Sequence, residues 1–116
     1  MAKKSIVTEY EDISTFSGAP AECRHHLCFG RGIRELAEQD GLWIPLTNAE
    51  HNMSPNGQRW QVHENAPAEA LSKIAGQLAW EKEYIANELC ATESLKKIMY
   101  KEAREEFLRR YGISYL

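Results

Sequence analysis

The sequence predicts an α+β fold, and three observations carry that expectation. The N-terminal half is polar and rich in turn formers, and it holds one short apolar segment of strand character, Leu42 to Leu46. The C-terminal half repeats apolar residues at helical spacing. At 116 residues, the length fits one domain with one modest core. The expected domain therefore spans 1–116, with a core over 1–64 and a two-helix scaffold over 65–116.

The elements follow in chain order. Residues 1–22 are polar, with a turn signal in FSGAP, Phe16 to Pro20, and no long helix is expected there. GIRELAEQDG reads as a short helix with Ile33, Leu36 and Ala37 on its apolar face and Gly41 as its stop. LWIPL reads as a strand, and Pro45 marks a sheet edge or a strand end. HNMSPNGQRW contains Ser-Pro and Asn-Gly, both turn formers. Asn65 is a good N-cap, and Pro67 is tolerated in a first turn. Leu71, Ile74, Leu78, Ile85 and Leu89 then recur at helical spacing, widened by Ala75 and Ala79. That face is expected to pack on the strand-bearing half. Thr92 is expected to cap a second helix, with Leu95, Ile98, Met99, Ala103 and Phe107 on one face and an end near Gly112. No internal repeat or low-complexity segment is present.

The formal net charge is −3, which argues against coating nucleic acid by charge alone. A small site that handles phosphate through a metal remains compatible with it. Arginines cluster at Arg24, Arg31 and Arg34, and again at Arg104, Arg109 and Arg110; each patch is either solvated surface or phosphate contact. No apolar run reaches membrane-span length, and MAKKSIVTEYED lacks the apolar core of a secretory signal, so a cytoplasmic location is expected and no membrane partner. The three cysteines, Cys23, Cys28 and Cys90, form no recognisable disulfide spacing and read as reduced thiols.

The most informative stretch is CRHHLCFG, residues 23–30. The four histidines, His25, His26, His51 and His63, all fall in the irregular half. Histidine is a common transition-metal ligand and a general base near neutral pH. Adjacent histidines on a strand point to opposite faces, so the pair cannot share one role. Surface or packing roles remain open for a His-His pair taken alone. A second pattern accompanies it. Ser14 and Ser17 have two residues between them, as do Thr47 and Glu50, with His51 immediately after. That is the spacing of the two C-x-x-C knuckles of a structural zinc site.

These residues resemble a known family. A knuckle-spaced pair, HHL-FG, a short helix, DGLWIPL, a second knuckle with HNM, VH-N and a helix with LSKIAGQLAWE follow in that order. The order is similar to small phage and prophage proteins of the HNH endonuclease class, also called His-Me finger or ββα-metal nucleases. The resemblance covers roughly residues 14–85, and the closing EAREEFLRRYGISYL also looks like the tail of such proteins. It implies a ββα-metal, HNH-like core in the N-terminal half. In the family the knuckles carry four zinc-binding cysteines. Here Ser14, Ser17, Thr47 and Glu50 take those places, so no structural zinc is expected. The family's middle Asn is also missing from its place, which aligns near Leu42.

The resemblance implies a metal-dependent endonuclease that hydrolyses DNA phosphodiester bonds. His26 would be the general base. His25, His51 and His63 would hold one divalent ion, from among Mn, Ni, Co, Zn or Mg; neutral imidazoles suit Zn, Ni, Co or Mn better than Mg. Arg24, Arg31 and Arg34 would contact DNA. Simpler roles stand beside these. His63 could bond a backbone carbonyl near the Asn65 cap, and His51 could be a surface residue after a turn. Trp43, Trp60 and Trp80 could stack on bases, although core packing suits Trp43 and Trp80 better. Asp40 and Glu50 could join the metal shell, or be a helix end and a loop residue. The alternative function is a degenerate, non-catalytic HNH-like module that binds nucleic acid or a host protein. Expected partners are thus DNA and, beyond it, a host or phage protein or a second copy in a homodimer.

Overall fold

The computed structural model describes residues 3–53, 62–63, 65–88 and 93–116. Strand β1 (Cys23–His26) leads to helix α1 (Ile33–Asp40) and strand β2 (Trp43–Leu46). A one-turn π-helix (Ala49–Met53) follows, then helices α2 (Ala66–Glu88) and α3 (Glu93–Tyr111). The result is an α+β fold built on a two-stranded antiparallel sheet.

The sheet forms because β2 is apolar throughout and every residue in it is buried. CRHH has no strand signature of its own and is recruited by that neighbour. The register pairs Cys23 with Leu46, Arg24 with Pro45, His25 with Ile44 and His26 with Trp43. Pro45 lies inside the strand. Its carbonyl turns to the Thr15 N–H at 2.9 Å on the side away from β1, so its missing N–H removes no ladder bond. The same open edge is covered by Ser5, whose hydroxyl donates to the Trp43 carbonyl at 2.7 Å.

Helix α1 stops at Gly41, which has φ 74°. A side chain there would place Cβ 2.5 Å from the Lys4 carbonyl oxygen, so both backbone conformation and space require glycine. The FSGAP turn also forms, with the Gly18 N–H on the Ser14 carbonyl at 2.9 Å. Asn65 caps α2 as expected, its Oδ1 accepting the Ala68 N–H at 3.2 Å.

The expected apolar face of α2 is not the buried one. Leu71 is 67% exposed and Leu78 51% exposed, while Ser72, Gln77 and Glu81 are buried. The inward face is polar because it is hydrogen-bonded to other elements. Arg104 donates to Glu81 at 2.9 Å, tying α2 to α3, and the Tyr115 N–H donates to Gln77 Oε1 at 2.6 Å. Gly76 lets the helix come close: a Cβ there would stand 2.7 Å from Cys28 Sγ and 2.9 Å from Leu27 Cβ.

Helix α3 buries Ala103 and Phe107 as its periodicity predicts, and Tyr111 one turn further on, before the chain leaves the helix at Gly112. Phe107 and Tyr111 share one core with Cys28, Ala37 and Leu42, with Trp80 packed against it. A second cluster, Leu27, Ile44, Leu46 and Val62, underlies the sheet. Asp40 accepts from Trp80 Nε1 (2.9 Å), Arg110 Nε (2.6 Å) and the Tyr111 hydroxyl (2.8 Å), which binds the end of α1 to both long helices. Among the described residues, no helix is long and apolar enough to cross a membrane. The Ser-Pro and Asn-Gly turns, Trp60, Leu89, Cys90 and Thr92 lie outside the described residues, as do the side chains of Leu95 and Ile98.

Candidate metal centre

Three segments bring three imidazoles to one point. His25 leaves β1 on the face turned to α2. His51 sits in the π-helical turn, its N–H bonded to the Thr47 carbonyl at 3.1 Å. The His63 N–H donates to the His51 carbonyl (3.0 Å) and the Val62 N–H to the Glu50 carbonyl (2.9 Å), which lays His63 alongside His51. Ring centroids are 5.1 Å apart for His25 and His51, 5.2 Å for His25 and His63, and 4.6 Å for His51 and His63. One nitrogen from each ring lies within 4.8 Å of the others, and the Nε2 atoms of His51 and His63 are 3.0 Å apart. Nitrogens sharing one tetrahedral ion at about 2.0–2.1 Å stand about 3.3 Å apart, so the cluster has the right scale.

The electrostatics fit as well. Burial, then His51, His63 and His26, push the His25 pKa down to about 3. Burial, then His63, His26 and Arg34, push that of His51 down to about 4. Both rings are neutral at neutral pH, which is the form that binds metal. His25 is 1% exposed, and its Nδ1 is buried without a hydrogen-bond partner. His51 and His63 are half-buried, so the cluster opens to solvent on their side. Its residues therefore fit one divalent transition-metal ion.

His26 is not brought into this cluster. Strand alternation turns it toward α1, where its Nε2 is 2.8 Å from Glu38 Oε1. The His26 hydrogen bond, with Arg24 nearby, outweighs burial and holds the Glu38 carboxyl below its ordinary range. A recess of about 300 Å³ lies there, lined by His26, Arg34, Glu35, Glu38 and Gln39. Arg24 is engaged internally, 3.2 Å from Glu38 and stacked 3.9 Å over the Trp43 ring. Arg31 and Arg34 are exposed. The second arginine patch is internally paired, Arg104 with Glu81, Arg109 with Glu106 and Arg110 with Asp40.

The four knuckle positions converge without a thiolate. The Ser14 hydroxyl donates to Glu50 Oε1, which also accepts the Thr47 N–H at 3.0 Å. The Glu50 N–H returns a bond to Thr47 Oγ1 at 3.2 Å, and the Ser17 N–H bonds Ser14 Oγ at 3.2 Å. Burial raises the Glu50 pKa, but hydrogen bonds from Ser14, Thr47 and Ser17 outweigh it and hold the carboxyl below its ordinary range. Glu50 therefore belongs to this knot, and Asp40 to the helix junction. Neither Cys23 nor Cys28 substitutes as a ligand: Cys28 bonds the Lys73 carbonyl, and burial pushes its thiol up to about 12. Cys23 bonds the Leu46 and Thr47 carbonyls.

Trp43 and Trp80 are core residues, their indoles bonded to the Lys3 carbonyl and to Asp40, each at 2.9 Å. Leu42 is fully buried and puts no polar side chain at its position. Sequence reasoning missed the residues around the cluster. Ser72 and Glu69 touch His25 and His63, Phe29 packs edge-on against both rings, and Lys73 Nζ lies 4.6 Å from the Phe29 centroid. For Glu69 and Ser72 the one available signal was a polar i, i+3 pair at the start of a helix that follows a histidine, while Phe29 stood in the CRHHLCFG stretch without a role assigned to it. No protein-family model, curated protein or solved structure matches this chain.

Proposed function

We propose that the chain is a metal-dependent, HNH-type nuclease acting on DNA. The observation that carries this reading is the meeting of His25, His51 and His63 within 4.8 Å. A strand, its antiparallel partner and a following helical turn that bears His51 also accord with a ββα order. An ion held there would polarise a phosphate oxygen and stabilise charge on the leaving oxygen. The chain's own residues do the rest. The half-buried rings of His51 and His63 mark the open side, and the exposed Arg31 and Arg34 offer phosphate contacts. Glu38 can orient His26 through Nε2, in the manner of a carboxylate that positions a general base.

The placement of His26 also favours a second reading. Its bond to Glu38 lies on the face of β1 away from the cluster, as suits a module that holds a metal and binds DNA without cutting it. Incubating the protein with supercoiled plasmid and Zn, Ni, Co, Mn or Mg separates the two. Nicked circles are expected with the wild type, and with His51→Ala only when metal is in large excess. Tight metal and DNA binding without nicking would support the binding module. Absence of metal binding would overturn the nuclease and the metal-holding module alike, and leave only a module that binds nucleic acid or a host protein without metal.

A further inference from the structure

We propose that α2 selects the nitrogens that face the ion: Ser72 and Glu69 hold the outer nitrogens of two rings, so that His25 binds through Nδ1 and His63 through Nε2. This inference rests on the metal-binding half of the reading above and is independent of nuclease activity.

The argument for His25 is a proton count. Ser72 Oγ lies 2.8 Å from the Leu27 carbonyl oxygen, which can only accept, so the single hydroxyl proton goes there. The same Oγ is 2.7 Å from His25 Nε2 and must accept on that side. His25 therefore carries its proton on Nε2 and keeps a lone pair on Nδ1. That Nδ1 is the atom buried without a hydrogen-bond partner. Buried polar atoms are rarely left so, and an ion would satisfy this one.

The argument for His63 is parallel. Glu69 Oε2 lies 3.3 Å from His63 Nδ1, and a carboxylate places the ring proton on that nitrogen. Nε2 is left facing His51 Nε2 at 3.0 Å. Carboxylate–histidine–metal chains of this kind fix ring orientation and raise ligand basicity. Residues 69 and 72 share one helix face at an i, i+3 spacing. The Asn65 cap sets where that face begins, and Gly76 sets how close it comes to Leu27 and Cys28.

The test uses the full chain with ¹⁵N-labelled histidine, titrated with Zn and followed by long-range ¹H–¹⁵N spectra. The metal-free protein should show His25 protonated at Nε2, and Zn should perturb Nδ1 of His25 and Nε2 of His63. Ser72→Ala should weaken Zn binding by about 10–100-fold, the usual effect of removing such a partner. Ser72→Thr, which keeps the hydroxyl, should restore most of it. Zn perturbing Nε2 of His25 would overturn this proposal and leave the metal site standing. Failure of the wild type to bind Zn, Ni, Co or Mn would remove both. Should Ser72→Ala lower the melting temperature with unchanged Zn affinity and nitrogen shifts, Ser72 is structural only and the proposal fails. Should that variant not fold, the wild-type spectra still decide it.

Discussion

His25 and His26 are chain neighbours with unlike surroundings. One is sealed against α2 among other imidazoles, and the other is bonded to a carboxylate on α1. Substitutions should separate them. His26→Ala should keep metal affinity and, if the chain is a nuclease, lose cleavage by about 10²–10⁴-fold, the range for a general base. His51→Ala should weaken metal binding so that excess metal rescues part of the activity. Calorimetric titration beside a nicking assay checks both, and equal loss of metal affinity in the two variants would contradict the separation. Glu50 offers a second residue-scale expectation. Its folded pKa is depressed, so its contribution is full above its ordinary range and is lost as pH falls through the folded value. Glu50→Gln should therefore flatten the acid side of the stability profile. Ser14→Ala removes a bond to that carboxylate and should cost about 1.5–3 kcal/mol by urea unfolding at neutral pH.

At the scale of elements, α2 is the decisive piece. Its leucines at 71 and 78 look outward, and its small and polar residues look in. Leu78→Ala should change stability by no more than about 0.5 kcal/mol, as exposed positions do. Gly76→Ala should act the other way despite the better helix former. The gain in propensity is about 0.8–1 kcal/mol, whereas overpacking typically costs about 1–3 kcal/mol. The new Cβ would press on Leu27 and Cys28, next to the carbonyl that fixes Ser72. A lowered melting temperature together with weaker metal binding is the expected pair. A destabilised Leu78→Ala with a neutral Gly76→Ala would mean that α2 is rotated from the face described.

For the whole molecule, the question is what holds the halves together. Asp40 ties α1 to α2 and α3, Phe107 and Tyr111 join the core of α1, and the Ser14–Glu50 knot closes the knuckle region. None of these needs a metal. Chelation should therefore strip an ion from the histidines while leaving the far-UV circular dichroism intact, unlike domains that rely on structural zinc. Unfolding on chelation would show that metal holds this fold.

The sequence by itself determined the local events. The Gly41 stop, the Asn65 cap, the apolar strand read at 42–46 and the α3 face through Phe107 follow from residues that act on their own turn or strand. It also singled out the histidines, because four imidazoles confined to the irregular half are visible without coordinates. Only the tertiary structure decided the rest. Leucine spacing alone misjudged α2, because the buried face is set by which side chains find partners on α1, α3 and β1. The division between His25 and His26 depends on which helix covers each face of β1. Ser72, Glu69 and Glu38 carry no sequence signal of their own, and only folding sets each beside an imidazole. Hydrogen bonds between residues as distant in the chain as His25 and Ser72 leave no periodicity to read.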